Sequence, residues 1–234
     1  LYWVEERGRS TASDGTSKTI EYVDKNSSYK PVAGRSYYGR GIIQLSWNYN
    51  YGPFSNWLYD NGFMPDRITS RDTLLTRPDY VATYADMAML SGIWFWMTPQ
   101  GAKPSCHDVL YGDVVNISKS TQEQGLPPRN DGGPIPVAAG DTTDESILAY
   151  RIGSIINIVN GGQECNKMAA WHSGPMHRLS YFNAYTMYFN DQLPGVNATR
   201  ITDATNVWNQ QVSDSSPDIM KMASCYAQKS YYSW

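Results

Sequence analysis

The chain carries at residues 37–52 the sequence YYGRGIIQLSWNYNYG, a short segment dense in glycine, aromatic and amide residues. Gly39 and Gly41 indicate unusual backbone angles or close backbone approach, which residues with a side chain tolerate poorly. A structural turn stabilised by amides is the simpler interpretation of this segment. The alternative is the polar, aromatic wall of a cleft, lined by Gln44, Ser46, Tyr49 and Asn50.

Outward from this segment, the apolar periodicity predicts a mainly helical fold with long loops and at most a small hairpin. Residues 10–36 read as a long loop, and the Pro- and Gly-rich residues 118–142 as a surface insertion loop. Gly161 and Gly162 predict the end of one buried helix. The predicted helices are 54–61, 79–97, 147–159, one from Ser173 through Tyr185, and a short one from Asp218 to Cys225.

The composition is that of an ordinary globular protein, with an excess of Tyr (18) and Trp (8) over Phe (5). Tyr and Trp combine an apolar face with a polar edge, which suits the binding of sugars, although a Tyr-rich core and surface is the simpler explanation. The net charge of −3 argues against a nucleic-acid partner. No apolar run approaches the roughly 18 residues that indicate a membrane span. The start at Leu1, without a signal-type segment, predicts a mature protein or a fragment.

The three cysteines have no zinc-type spacing, and their odd number leaves at least one free or paired outside the chain. The three histidines are not at metal-ligand spacing either, so we expect no metal and no cofactor. Asn26, Asn116 and Asn197 each begin an N-x-S/T triplet and are candidate glycosylation sites. Three such triplets in polar stretches mildly favour a secreted protein.

Residues 37–52 resemble the signature of family 19 chitinases, whose pattern runs YYGRGPIQL-S/T-x-NYNYG; only Ile42 departs, standing where the family has Pro. Four further matches follow in the family's order: WFWMTPQ at 94–100, KPSCHDV at 103–109, INIVNGGQEC at 156–165 and SCYAQ at 224–228. By these five collinear motifs, residues 1–234 are identified as a family 19 catalytic domain that lacks its N-terminal segment.

The resemblance implies a mainly α (α+β, lysozyme-like) fold with two lobes around a substrate cleft. It also implies hydrolysis of β-1,4-linked N-acetylglucosamine polymers with inversion, which needs two carboxylates about 6.5–9.5 Å apart. The family's base lies in a Glu-Arg-Gly-like segment, and here Glu6 takes that place, with Glu5 as the fallback. By itself, Glu5-Glu6-Arg7 would be read as a solvated surface run.

The family's general acid lies in a His-Glu-Thr-x-Gly segment before the base, and these 234 residues contain no His-Glu pair. We therefore expect the acid upstream of Leu1. The chain is truncated, its N-terminal segment is a separate chain, the sequence omits part of the domain, or the protein has lost the acid. Without general acid catalysis, worth roughly 10²–10⁴-fold in rate, we expect this chain alone to be nearly inactive.

The resemblance also assigns roles to other residues. Ser46 would help Glu6 hold the attacking water, and Arg178 would pair with the acid. Cys165 and Cys225 match the family's C-terminal disulfide, which fits secretion into an oxidising compartment, whereas Cys106 would find any partner upstream. The remaining residues would bind the sugar chain: Tyr29, Gln44, Tyr49, Asn50, Lys103 and Asn160, with a plain surface Lys as the alternative for Lys103.

Two functions follow as hypotheses. The first is an inverting endochitinase, whose partner is chitin or its oligosaccharides. The second is a catalytically inactive chitin-binding or extracellular-matrix protein, favoured by the absent acid, Ile42 and the loop at 118–142. The retained site residues favour the enzyme.

Overall fold

The structure is a computed structural model that places the chain in two compact units, residues 1–96 and 97–234, which are described one at a time. The described residues are 5–6, 22–99, 103, 105–111, 144–165, 173–195, 198–202, 210–226 and 228. The predicted insertion loop at 118–142 lies outside them.

The described part of the first unit contains four helices: α1 (Asn48–Asp60), α2 (Thr73–Thr76), α3 (Tyr80–Thr83) and α4 (Ala85–Met97). Helix α1 begins six residues before its predicted start at Phe54, directly after Trp47, whose φ of 74° lies in the left-handed region. Pro53 therefore lies inside the helix and not in its first turn. Phe54 and Leu58, one turn apart, are fully buried and anchor this helix to the core.

The predicted helix 79–97 is wrong in one respect, because the structure breaks it into α3 and α4 at Tyr84 (φ −108°, ψ 120°). Two contacts accompany the break. The Arg67 guanidinium lies 4.2 Å from the centroid of the Tyr84 ring, and it also forms a salt bridge with Asp86. An extended residue between two helical turns lets both contacts form together.

The core of the first unit holds buried rings whose polar ends have partners, as tyrosines in a core require. Tyr37 is fully buried, and its hydroxyl accepts a hydrogen bond from the Val32 N–H (2.9 Å) and donates one to the Leu75 carbonyl (2.9 Å). Tyr51 donates to the Tyr38 carbonyl (2.8 Å). Their hydroxyls thus fix the segment that leads into α1.

The second unit contains α5 (Cys106–Tyr111), α6 (Asp144–Glu164), α7 (Ser173–Gln192) and α8 (Asp218–Ala223). Helix α6 packs on α8, and a Cβ on Gly153 would lie 2.0 Å from the Met222 carbonyl oxygen, so only glycine permits this approach. The predicted helix 147–159 ends where expected, but Gly161 and Gly162 do not cap it, because helix resumes after the break. The chain leaves helical geometry at Asn160 (φ −146°, ψ 31°) and then continues to Glu164. One buried cluster in the core of this unit consists of Ala149, Met176, Leu179, Ile201, Val212, Met220, Ala223 and Tyr226.

The prediction of a mainly α fold is confirmed. Among the described residues, β structure is limited to isolated bridges, which include the antiparallel pairs Glu5–Arg40 and Arg40–Leu45, in place of a hairpin. None of the described helices has both the length and the apolar character needed to cross a membrane.

Candidate active site

Glu6 is held against the glycine-rich segment by both its backbone and its side chain. Its N–H donates to the Gly39 carbonyl (2.8 Å), and the Gly39 N–H donates back to Glu6 Oε2 (3.3 Å). The Tyr22 hydroxyl donates to the other oxygen, Oε1 (3.1 Å). Each carboxylate oxygen therefore has a donor, and the half-buried carboxylate is fixed in orientation.

Glu5 has different partners. It is exposed, and its carboxylate accepts a hydrogen bond from the Tyr38 hydroxyl. Because successive side chains of an extended chain point to opposite faces, the contact of Glu6 with Tyr22 and of Glu5 with Tyr38 is the expected result. The two neighbouring acids, which the sequence left as alternatives for one role, thus occupy separate environments.

Ser46 lies on the other side of the segment that binds Glu6. Arg40 forms one β-bridge with Glu5 and another with Leu45, on opposite sides. In the second bridge, the Arg40 N–H donates to the Leu45 carbonyl (3.2 Å) and the Leu45 N–H donates to the Arg40 carbonyl (2.8 Å). In this antiparallel pairing, Glu6 and Ser46 lie on either side of Gly39. Because bridged segments are about 4.8 Å apart, the two backbones are on the order of 10 Å apart. Ser46 Oγ donates to the Gln44 carbonyl (3.0 Å). A water held between Glu6 and Ser46 stays a prediction.

Gln44 belongs to the same cluster. A Cβ on Gly39 would lie 2.9 Å from Gln44 Oε1, so this side chain rests on the glycine whose N–H binds Glu6. Gln44 Nε2 donates to the Gly41 carbonyl (3.0 Å). The expected close approach at Gly39 is therefore present, and it places the Gln44 amide beside the Glu6 segment.

The residues around Glu6, which are Tyr22, Gly39 and residues 44–50, are called the Glu6 cluster. Three of its non-glycine residues have left-handed backbone angles: Tyr22 (φ 49°), Gln44 (φ 56°) and Trp47 (φ 74°). Such angles cost about 1–3 kcal/mol each and occur preferentially at functional sites. Among the residues described, only Met64 and Cys225 share this property elsewhere. The concentration of strain around Glu6 is consistent with a functional site.

An aromatic group lies next to Glu6. The Trp47 ring stacks on Tyr49 (centroids 5.7 Å apart, 11° between planes), and Tyr22 contacts Trp47 edge to face at 5.3 Å. Burial, and to a lesser degree the charge of Asp24, raises the pKa of Tyr49 to about 12, so its phenol stays neutral. Asn50 Nδ2 donates to the Ser46 carbonyl (2.9 Å). Tyr49 and Asn50 thus lie in the same cluster as Ser46, and sugar contacts by either stay predictions.

Asn48 is a positioning residue that the sequence analysis missed. It is fully buried, and its Nδ2 donates to the carbonyls of Asp24 (2.9 Å) and Tyr29 (2.6 Å). Tyr29 lies directly on α1, because a Cβ on Gly52 would be 2.2 Å from Tyr29 Cδ1. Asn48 and Gly52 thereby hold the loop that carries Tyr22. The stacking of Tyr29 on a sugar stays a prediction.

Ile42, the departure from the family signature, has a structural role. Its N–H, which proline would lack, donates to the Ala88 carbonyl of α4 (3.3 Å). Its side chain lies on Gly92, where an added Cβ would be 2.5 Å from Ile42 Cδ1. The departure is therefore accommodated outside the Glu6 cluster.

In the second unit, Arg178 is paired with Glu164, a contact that the sequence analysis missed although Glu164 is part of a quoted motif. Arg178 Nε and Nη2 donate to the two carboxylate oxygens at 2.8 and 2.7 Å, and Asn160 Nδ2 donates to Oε1 at 2.7 Å. The Glu164 side chain is 5% exposed, whereas that of Arg178 is 46% exposed. Arg178 thus neutralises a buried carboxylate, and its pairing with the general acid stays a prediction.

We expect Arg178→Met to destabilise the chain by about 1–3 kcal/mol, because a buried carboxylate would lose its cation and two of its donors, keeping the bond from Asn160. Urea unfolding of the two proteins measures this change. Arg77→Met is the matched control: Arg77 and Asp79 also form a close ion pair (2.9 Å), but both side chains are almost half exposed and screened by water, so we expect a clearly smaller loss of stability. Equal effects of the two substitutions would contradict the role of Arg178.

Lys103 is buried, with 7% of its surface exposed, and its Nζ donates to the Ile158 carbonyl of α6 (2.9 Å). Burial lowers the pKa of Lys103 to about 7. Cys106, the free cysteine, is also buried, and burial raises the pKa of its thiol to about 12, which makes it unreactive. The sugar contact of Lys103 stays a prediction.

The predicted disulfide between Cys165 and Cys225 is confirmed. Asn26 is exposed, as a glycosylation site must be, whereas Asn116 and Asn197 lie outside the described residues. Within the described part of the chain, no group of three or more His, Cys, Asp or Glu side chains could hold a metal ion.

Comparison with known proteins agrees with these motifs. Residues 9–129 match the profile of glycoside hydrolase family 19, described as chitinase class I. An endochitinase of Carica papaya is 38% identical over 168 residues, which are 70% of this chain and 52% of the relative. The inactive chitinase-like protein 1 of Hevea brasiliensis is 36% identical over 173 residues, 74% of this chain and 43% of the relative.

A crystal structure of a family GH19, class IV chitinase from Zea mays is 24% identical, covers 61% of this chain and 55% of that chain, and has a TM-score of 0.30. The chain spans about half the length of the curated relatives it matches. It belongs to glycoside hydrolase family 19, the class I chitinase family.

Proposed function

We propose that this chain forms most of the catalytic domain of an inverting chitinase, which cleaves β-1,4-linked N-acetylglucosamine polymers with Glu6 as general base. The observation that carries the proposal is the pair of donors on the Glu6 carboxylate, Tyr22 OH at 3.1 Å and Gly39 N–H at 3.3 Å, within the family's signature segment. Donors on both oxygens hold a base in one orientation toward a bound water.

In this reaction, Glu6 removes a proton from a water whose oxygen attacks the anomeric carbon of the sugar. The bond from that carbon to the glycosidic oxygen breaks, and a general acid protonates the departing oxygen. None of the chain's carboxylates stands in a His-Glu-Thr-x-Gly context. The acid therefore comes from residues outside this sequence, either upstream in the same protein or on a separate chain.

The remaining assignments follow the same proposal. Ser46 binds the attacking water together with Glu6. The sugar and its acetamido group are bound by amide and phenol side chains, which are those of Gln44, Tyr49, Asn50, Asn160 and Tyr29. The presence of Gln44, Ser46 and Asn50 around the Gly39–Leu45 turn supports these roles.

A second function has specific support. The Hevea brasiliensis relative is named an inactive chitinase-like protein, and its identity to this chain is within two percentage points of that of the papaya endochitinase. Similarity therefore does not separate an enzyme from a protein that binds chitin without turnover. The disulfide supports secretion for either function, since such bonds persist in oxidising compartments.

The test compares the longest natural form of the protein with the 234-residue chain on N-acetylglucosamine hexamer. The anomer of the new reducing end is followed by proton NMR immediately after mixing. Release of the α-anomer from this β-linked substrate supports an inverting chitinase, whereas the β-anomer overturns Glu6 as the base of an inverting reaction. Binding without turnover supports the second function, and neither binding nor turnover rules out both.

A further inference from the structure

Helix α6 is broken at Asn160, near its C-terminal end, and the buried side chains of Asn157 and Lys103 lie at the break. Asn160 has non-helical angles (φ −146°, ψ 31°), although the residues on both sides of it are helical. On one side, the fully buried Asn157 reaches across the break: a Cβ on Gly161 would lie 2.0 Å from Asn157 Oδ1. Asn157 Nδ2 donates in turn to Gln228 Oε1 (3.1 Å).

Lys103 also contacts the break. Its buried ammonium donates to the carbonyl of Ile158, in the last regular turn before Asn160. An interrupted helix has a C-terminal end with partial negative charge at the interruption, and a cation placed there is stabilising. A hydrogen bond from a charged donor is also about twice as strong as one between neutral groups. Lys103 therefore has the geometry to stabilise this break and, at pH values below its lowered pKa of about 7, also the charge.

The break determines where two functional groups lie. Asn160 forms the break itself, and its Nδ2 donates to Glu164 Oε1 (2.7 Å) in the turn that follows. Glu164 is bound through both oxygens by Arg178 of α7. A shift of the Ile158–Asn160 backbone would move the Asn160 amide and disturb the Glu164–Arg178 pair with it.

We propose that Lys103 is a positioning residue, which holds the break in α6 and through it the Asn160 amide and the Glu164–Arg178 pair. This role differs from the direct sugar contact that the family resemblance implies. The structural half of the inference, that Lys103 holds the break, is independent of the proposed function. The functional half, that the break sets sugar affinity through Asn160, rests on it.

The structural half is tested by amide hydrogen exchange on the 234-residue chain. Lys103→Met keeps most of the apolar side chain but removes both donor and charge, so we expect exchange of the amides at 158–165 to accelerate at least tenfold. Lys221→Met is the matched control: Lys221 also donates to a backbone carbonyl in this unit, that of Asp214 (3.3 Å), but it is a residue of α8. Unchanged protection at 158–165 in folded Lys103→Met overturns the inference.

The functional half is tested by a double-mutant cycle on the binding of N-acetylglucosamine oligomers to the longest natural form. We expect Lys103→Met to weaken binding about tenfold in the wild-type background and less than twofold when Asn160 is already Ala, because the effect passes through Asn160. Equal weakening in both backgrounds would mean that Lys103 touches the sugar directly and would overturn the positioning role.

The outcomes remain distinguishable if the proposed function is wrong. If the wild-type protein binds no oligomer, the proposed function and the functional half of the inference are both wrong. The exchange experiment still decides the structural half of the inference. If Lys103→Met does not fold, Lys103→Gln replaces it, because its amide keeps a donor but loses the charge. Faster exchange confined to 158–165 then supports the inference, and unchanged exchange overturns it.

Discussion

Replacing Glu6 by Gln is expected to lower kcat on N-acetylglucosamine hexamer by about 10²–10⁴-fold in the longest natural form of the protein, the usual contribution of a general base. The amide keeps the shape of the carboxylate, and its oxygen can still accept from the Gly39 N–H while its NH2 group donates to the Tyr22 hydroxyl, so KM should change little. Initial rates at saturating and limiting hexamer concentrations separate the two constants.

Glu5→Gln is the matched control for this experiment. Glu5 is the adjacent residue with the same side chain, but it is exposed and accepts from Tyr38, whereas Glu6 accepts from Tyr22 and Gly39. We expect Glu5→Gln to keep kcat within about threefold of wild type, since a surface acid contributes no proton transfer. A large loss of kcat in Glu5→Gln, together with normal turnover in Glu6→Gln, would show that Glu5 and not Glu6 is the general base.

Loss of the Cys165–Cys225 disulfide is expected to lower the free energy of unfolding by about 4 kcal/mol. The two cysteines are 60 residues apart, and a crosslink that closes a loop of this size restricts the unfolded chain by about that amount. Both cysteines are fully buried beside Ile156, so their replacement by Ser adds a desolvation cost. Urea unfolding of the Cys165→Ser/Cys225→Ser variant measures the change.

Reduction of the wild-type protein separates the crosslink from the substitutions. With a thiol reductant present, wild type should approach the stability of the double variant, and the double variant itself should not respond. Cys106→Ala is the control for loss of a buried sulfur without a crosslink, and we expect it to cost about 1–2 kcal/mol. Identical unfolding of wild type with and without reductant would show that this bond does not stabilise the fold.

The sequence predicts those parts of the site that depend on local chemistry. Gly41 has a φ of 72°, and a Cβ there would lie 2.5 Å from Ser91 Oγ, which is the close approach that the glycine pattern indicates. The apolar periodicity of 147–159 likewise predicts the buried part of α6. Both features are encoded within a few consecutive residues.

Features that depend on distant residues could not be predicted in this way. Tyr22 lies in a loop without periodicity, so nothing local indicates its bond to Glu6, sixteen residues away. Glu164 and Arg178 are fourteen residues apart on different helices, and only the tertiary structure brings them together. The apolar pattern predicts the end of the first helical segment at Val159, but neither the helical turn that follows Asn160 nor the bond of Lys103, which comes from 55 residues away.

Ile42 and Gly92 have a consequence for engineering this domain. The side chain of Ile42 occupies the space above Gly92, and its N–H binds the carbonyl of Ala88. A chimera that imports a different helix with any larger residue at position 92 would push the glycine-rich turn away from that helix. Proline at position 42 would leave the Ala88 carbonyl without this donor. Residues 41–43 and α4 should therefore be exchanged together as a single cassette.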